Sequence, residues 1–233
     1  MTERVHATGV DFFDVASSTR AIRRYRPDPI PEEDLARMLF AATRAPSGSN
    51  RQPFRFLVLG RDRESAIAAR RLLGTAFREM WSLKRAGDGY DEGSGVDPSS
   101  RKGRMAATMQ HFVDHIEEAP VIVLACLKHR HGGHLAEGAS VYPACQNLLL
   151  AARALGYGGV ITMWHQPVED RLSEILGLPS DVSIVATIPL GRPAGRHGPV
   201  RRLPLADLVY EDAWGKQASW AEDPPGTPVV GRR

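Results

Sequence analysis

Ala45-Pro46-Ser47-Gly48-Ser49-Asn50-Arg51-Gln52-Pro53-Phe54-Arg55-Phe56 stands between a helical pattern and an apolar, strand-like run. Pro46 and Pro53 bracket a cluster of short hydroxyl and amide side chains, Ser47, Ser49, Asn50 and Gln52, around Gly48. The two prolines each fix φ and remove a backbone donor, so the stretch is stiffened while most of its hydrogen-bonding capacity stays available. Such chemistry suits a pre-shaped polar cradle for a flat, hydrogen-bond-rich molecule. It equally suits a helix-to-strand connection whose polar groups cap only one another.

On the N-terminal side, Pro31-Glu32-Glu33-Asp34 has the form of a helix start, and Leu35, Met38, Leu39 and Ala42 follow at helical spacing. On the C-terminal side, Phe54 to Leu59 ends at Gly60 and predicts a buried strand. Further out, helices are expected over 62–84, 101–118, 138–155 and 168–176, and strands over 120–127, 160–164 and 182–190. The run Pro120 to Leu127 is apolar without alternation, as in a strand covered on both faces near the centre of a sheet. Residues 138–155 carry Val141, Cys145, Leu148, Leu149, Ala152 and Leu155 on one stripe and predict the core helix. Residues 10–24 also allow an amphipathic helix, which would put Arg20, Arg23 and Arg24 on one face at i, i+3 and i+4. Cations that close repel unless an anion sits among them; a solvated basic helix end would look the same.

The 233 residues, 42% hydrophobic, suffice for one large domain. A mobile flap is expected around 86–118, and from about residue 204 an extended arm with Trp214 and Trp220 that must lie on something to be ordered. No run of about 18 apolar residues or signal-peptide pattern occurs, which predicts a cytoplasmic protein with no membrane partner. The net charge of +3 sets 30 bases against 27 acids, a balance unlike that of a nucleic-acid binder. Cys126 and Cys145 lack CxxC spacing and read as buried reduced thiols. His129, His131 and His134, and the pair His111 and His115, lack the companions of a zinc site, so no metal is expected. Gly156-Tyr157-Gly158-Gly159 would let backbone approach a ligand, but Ile161 stands where a dinucleotide fingerprint needs its third glycine, and no P-loop occurs.

Three separated segments share one pattern: TRAIRRYRPDPIP at 19–31, PSGSNRQPF at 46–54, and PLGRP followed by RRLPL within 189–205. In order and interval they resemble the nitroreductase family of FMN-dependent oxidoreductases, over Ala16 to about Leu208. The resemblance implies an α+β three-layer sandwich with a mostly antiparallel central sheet flanked by helices. It also implies a homodimer with exchanged C-terminal arms and an FMN at each of two interface sites. Arg20 and Arg23 would meet the ribityl phosphate or the polar edge of the ring, with Ala21 between them, and Arg201 and Arg202 the phosphate. Pro46, Ser47, Gly48, Ser49 and Asn50 would come from the other subunit to contact the flavin, with Gln52 holding that loop. Ile161, Thr162, Met163 and Trp164 match the strand end that offers a backbone N–H near flavin N5, and no dedicated catalytic side chain is implied.

Four departures stand out. Ala21 replaces a frequent serine, Phe54 the usual tryptophan, and Met163 an acid found in some members; the Asn/Lys pair some members use at the pyrimidine ring has no clear counterpart beyond His111. The implied activity is reduction of an electron-poor small molecule, a nitroaromatic, quinone or activated alkene, with NAD(P)H as donor and a ping-pong mechanism. A flavin-storing protein, or a specialised member that dehalogenates, dehydrogenates a heterocycle or fragments flavin, is the alternative.

Overall fold

The computed structural model describes residues 10–129 and 135–230. Four strands form one sheet in the order β1-β2-β4-β3: β1 (Phe54–Leu59), β2 (Val121–Lys128), β3 (Gly158–Gly159) and β4 (Val182–Gly191). Every pairing is antiparallel. The register of β2 against β4 slips between Ala125 and Cys126, so Val185 is bulged and the ladder resumes at Ile184.

Among the described residues there are six helices, α1 (Phe12–Ser18), α2 (Glu32–Ala42), α3 (Glu64–Gly87), α4 (Arg101–Asp114), α5 (Tyr142–Ala154) and α6 (Glu169–Leu176); α2 and α5 cover one face of the sheet and α3, α4 and α6 the other. Strand alternation divides the core. Val121, Val123, Ala125 and Leu127 of β2 pack with Met38 and Ala42 of α2 and with Cys145, Leu148 and Ala152 of α5. Their neighbours Ile122, Leu124 and Cys126 pack instead with Leu73 and Phe77 of α3, Phe112 and Val113 of α4, and Leu172 of α6. The result is the three-layer α+β sandwich, and β2 is an interior strand because seven of its eight residues are buried.

Three expected elements are differently built. The first helix stops at Ser18, with Thr19 as its extended C-cap, instead of continuing to residue 24. Beyond it the backbone joins the sheet edge: Ile22 N–H donates to Gly159 O at 2.9 Å, Tyr25 bridges Pro193, and Arg26 N–H donates to Arg192 O at 2.8 Å. Arg20, Arg23 and Arg24 therefore do not share a helical face. Burial of Ile22 against the glycines outweighs any helical preference there.

The strand expected over 160–164 is paired at Gly158–Gly159, with one further bridge between Thr162 and Thr187. A Cβ on Gly158 would lie 2.5 Å from Ile22 Cγ1, and one on Gly159 would lie 2.5 Å from Pro189 O. Close packing against Ile22 and Pro189 thus requires glycine at both positions, and the same glycines line a cavity of about 330 Å³. The fourth helix is likewise shorter than 101–118, closing at Asp114 before a separate turn over Ile116–Glu118.

The stretch 86–100 of the segment expected as a flap is mostly exposed and is anchored at a few points. Tyr90 lies 5.2 Å from Trp81, Lys102 Nζ sits 5.4 Å over the Tyr90 ring, and a Cβ on Gly103 would lie 2.0 Å from Asp97 O. The C-terminal segment returns along its own chain: Arg202 pairs in parallel with Val229, Val230 N–H donates to Arg202 O at 2.7 Å, and Ala218 and Ala221 are buried.

Candidate functional site

A cavity of about 700 Å³ brings together Arg20, Ala21 and Arg23, the first turn of α4, residues 199–202, and Val229 with Val230. Three chain segments are fixed separately to make it. The buried Ile22 and the Tyr25 hydroxyl, which donates to Ile22 O at 2.5 Å, set the path of the N-terminal segment. Ser100 caps α4 by accepting the Gly103 N–H at 2.8 Å, and the Val230-to-Arg202 bond secures the last segment.

The cavity collects Arg20, Arg23, Arg101, Arg104, Arg201 and Arg202. Among the described residues none of the six forms an ion pair with a carboxylate. Arg104 donates to Ser99 O and Arg202 Nη1 to Arg201 O at 3.0 Å, neutral acceptors that orient without cancelling charge. Burial, reinforced by the neighbouring Arg20, lowers the Arg23 pKa, partly countered by Tyr25. Ala21 contributes backbone alone. Such a donor set fits a phosphate, which guanidinium groups bind in a forked, charge-assisted geometry.

Arg101 and Arg104 were absent from the sequence expectation. A signal for them existed: Arg101, Lys102 and Arg104 occupy the start of α4, which has no acid in its first turn. Cations at the positive end of a helix dipole are unfavourable unless an anion is held there. His111, the weak match to the pyrimidine contact, lies elsewhere, in a cavity of about 190 Å³ beside His115, whose ring stacks on it at 4.1 Å.

The 46–53 loop does not reach this cavity. Gly48, Arg51, Gln52 and Pro53 line a different one, of about 630 Å³, with Leu127, Lys128 and Ser140 among its other walls. Within the loop the Ser47 hydroxyl accepts the Gln52 N–H at 2.9 Å, and Gln52 Nε2 donates to Asn50 Oδ1 at 3.2 Å. Self-capping is thus part of its architecture. Yet Ser49, Asn50 and Gln52 all take left-handed backbone, with φ of 52°, 52° and 50°. Three such non-glycine residues in four positions store backbone strain, a feature that concentrates at ligand sites. Pro46, Ser49 and Asn50 are exposed.

The turn after β3 narrows the backbone donors. Thr162 N–H donates to Thr187 O at 3.1 Å and is unavailable, and Trp164 N–H makes a long 3.4 Å bond to Thr162 Oγ1. The Met163 N–H has no bond among the described residues, and its side chain is 44% exposed. Ile161 packs on the α2/α5 side of the core, and Trp164 packs edge-on against Phe77 at 5.7 Å. Beneath the turn, buried His165 donates from Nε2 to Ile184 O at 2.8 Å, leaving Nδ1 to accept the Thr187 hydroxyl at 3.2 Å. Burial lowers the His165 pKa and keeps the ring neutral.

No three His, Cys, Asp or Glu gather as metal ligands among the described residues. His129 is engaged by Glu137 Oε2 at 2.8 Å and Ser183 Oγ at 2.7 Å. His131 and His134 lie outside the described residues. Burial pushes the thiols of Cys126 and Cys145 up, to about 11 and about 12, as expected of inert core cysteines. Among the described residues no helix is long and apolar enough to cross a membrane.

Comparison with known proteins shows what the chain is similar to. The model of the nitroreductase family matches residues 16–192. An NADH dehydrogenase of Thermus thermophilus is 35% identical over 211 residues, covering 86% of this chain and 95% of the relative. A 5,6-dimethylbenzimidazole synthase of Rhodospirillum rubrum is 31% identical, covering 76% and 80% of the two chains. The solved structure of an NADPH:FMN oxidoreductase from Vibrio harveyi, in complex with NAD+, superposes with a TM-score of 0.64 at 19% identity, covering 88% of this chain and 78% of that one.

Proposed function

This chain belongs to the nitroreductase family, and we propose that it is an FMN-dependent oxidoreductase that takes reducing equivalents from NAD(P)H and passes them to an electron-poor small molecule. The observation that carries this reading is the convergence of six arginines, from three segments and without a carboxylate ion pair among the described residues, on one cavity. FMN held in this cavity would supply the two-electron redox chemistry between nicotinamide and acceptor.

This chain's own residues then bind and polarise. Arg20, Arg201 and Arg202 would hold the phosphate, and Arg23, Arg101 and Arg104 would add positive charge that favours the anionic reduced form. The Met163 N–H, unbonded among the described residues, would be the backbone donor toward the flavin. Catalysis by positioning and electrostatics needs no acid/base pair.

The 46–53 loop lines a separate cavity of its own chain, which supports a homodimer whose second copy delivers Ser47, Ser49 and Asn50 to the flavin. The acceptor is a nitroaromatic, quinone or activated alkene, and the synthase relative makes a specialised reaction the competing assignment.

Anaerobic addition of NADH or NADPH to the purified protein tests the reading. The expected result is a yellow protein that bleaches and then recovers colour with an acceptor; a yellow protein inert to both nucleotides would be a flavin store, and a colourless one that takes up no FMN would remove the assignment. Mixed dimers of Asn50→Ala with Arg20→Ala test the shared site. They should keep one intact site of two, and retention of none would place the loop elsewhere.

A further inference from the structure

A second cavity, of about 330 Å³, lies on the other side of Arg20. Its cationic lining is Arg20, Arg26, Arg153 and Arg192, with the His197 ring beside them and no carboxylate among the lining residues. Its volume is at the lower end of the range for ligand pockets.

The arginines here are held without being neutralised. Arg153 Nε donates to Ser18 Oγ at 2.9 Å. Arg192 stacks over the Tyr157 ring at 4.4 Å and donates from Nη2 to the Tyr157 hydroxyl at 3.1 Å. That hydroxyl in turn donates to Asp34 Oδ2 at 2.7 Å, which fixes the tyrosine as an anvil for the guanidinium. Elsewhere in the molecule arginines meet carboxylates directly, as Arg78 does Glu117 at 3.0 Å and Arg85 does Asp91 at 2.5 Å. Arg153 also stands in the last turn of α5, whose dipole stabilises one cation, not four. Four guanidinium groups around one small space repel unless an anion enters it. Ile22, Leu149 and Pro193 supply an apolar wall beside the charges.

We infer that this smaller cavity is a second anion site, which takes a phosphate group between Arg26, Arg153 and Arg192, separate from the cavity assigned to the flavin phosphate. Inorganic phosphate and the phosphate of an organic monoester share the chemistry that these groups recognise.

The test is calorimetric titration of the FMN-saturated protein at low ionic strength with inorganic phosphate, and in parallel with glycerol phosphate, each against a chloride control of matched ionic strength. A saturable one-site isotherm is expected, weakened about tenfold or more by Arg153→Gln and by Arg192→Gln, with FMN content unchanged. Arg153 is exposed and bonded through Nε to one hydroxyl, so its variant keeps the test sound where Arg192→Gln disturbs the Tyr157 stack. Tighter binding of glycerol phosphate assigns an organic ligand to the apolar wall, and equal affinity assigns the free ion; both keep the site. Absence of saturable heat, release of FMN by phosphate, or unchanged affinity in both variants would overturn it. A protein that takes up no FMN would still report phosphate binding through Arg153, so failure of the flavin assignment and of this site are distinguishable.

Discussion

Arg70 and the arginines of the large cavity are the same residue put to opposite uses. Arg70 is 3% exposed, and its guanidinium is spent on five backbone carbonyls: Gly60 O at 2.8 Å, Glu117 O at 2.9 Å, Ala119 O and Leu59 O at 2.7 Å, and Pro120 O at 3.5 Å. It ties the end of β1 to the turn before β2, and burial lowers its pKa to about 10, which leaves it charged at neutral pH. Arg20, Arg101, Arg201 and Arg202 are exposed and converge on space. What an arginine already touches, more than how many arginines a chain has, separates a structural cation from one waiting for an anion.

The largest expected effect would come from the structural side. Arg70→Met strands several buried carbonyls without a donor and is expected to cost about 3 to 5 kcal/mol of folding stability. A fall in the urea midpoint, with normal FMN content in the protein that remains folded, would show it. An unchanged midpoint would break the distinction.

The reverse pattern is expected of Arg202→Ala or Arg20→Ala. FMN affinity should fall by about 1.5 to 3 kcal/mol, the loss of a charge-assisted bond, while the FMN-free protein keeps its unfolding free energy in urea to within about 0.5 kcal/mol. Fluorescence titration with FMN alongside denaturation of the apoprotein separates the two quantities. Equal losses in both would make these arginines structural after all.

The sequence displayed some of this contrast and hid the rest for physical reasons. β2 was legible because a strand covered on both faces must be apolar throughout, and α5 because its one buried stripe repeats at helical spacing. The segment after Ser18 was misread because spacing in sequence placed Arg20, Arg23 and Arg24 on a helix. The pairing of Ile22 with Gly159 is a long-range bond that no local window contains. The same close approach makes Gly158 and Gly159 a packing requirement as well as part of a cavity wall, and only the second role was suggested by the sequence. Arg101 and Arg104 are not picked out by sequence because nothing local links the start of α4 to the arginines of distant segments, although their position at the dipole's positive end is visible. The relation between the 46–53 loop and the arginines could be suggested only by resemblance, since within one chain they line different cavities.

A smaller effect sharpens the role of the two arginines found from the structure. Arg101→Gln removes a charge that makes no hydrogen bond among the described residues, so stability should hold while FMN affinity drops by about 1 kcal/mol. An FMN titration of this variant beside Arg202→Ala gives the ranking; an Arg101 effect exceeding that of Arg202 would move the phosphate toward α4.

The smallest effect comes from salt. Exposed cations that gather an anion are screened over roughly 8 to 10 Å at physiological ionic strength, whereas a buried guanidinium bonded to carbonyls is scarcely screened. Raising sodium chloride from about 0.05 to 0.5 M should therefore weaken FMN binding a few-fold and leave the Arg70-dependent part of stability unchanged, the latter read as the difference in urea midpoint between the parent chain and Arg70→Met. If that difference shrinks with salt as the FMN affinity does, Arg70 acts through long-range charge, and the division between spent and unspent arginines does not hold.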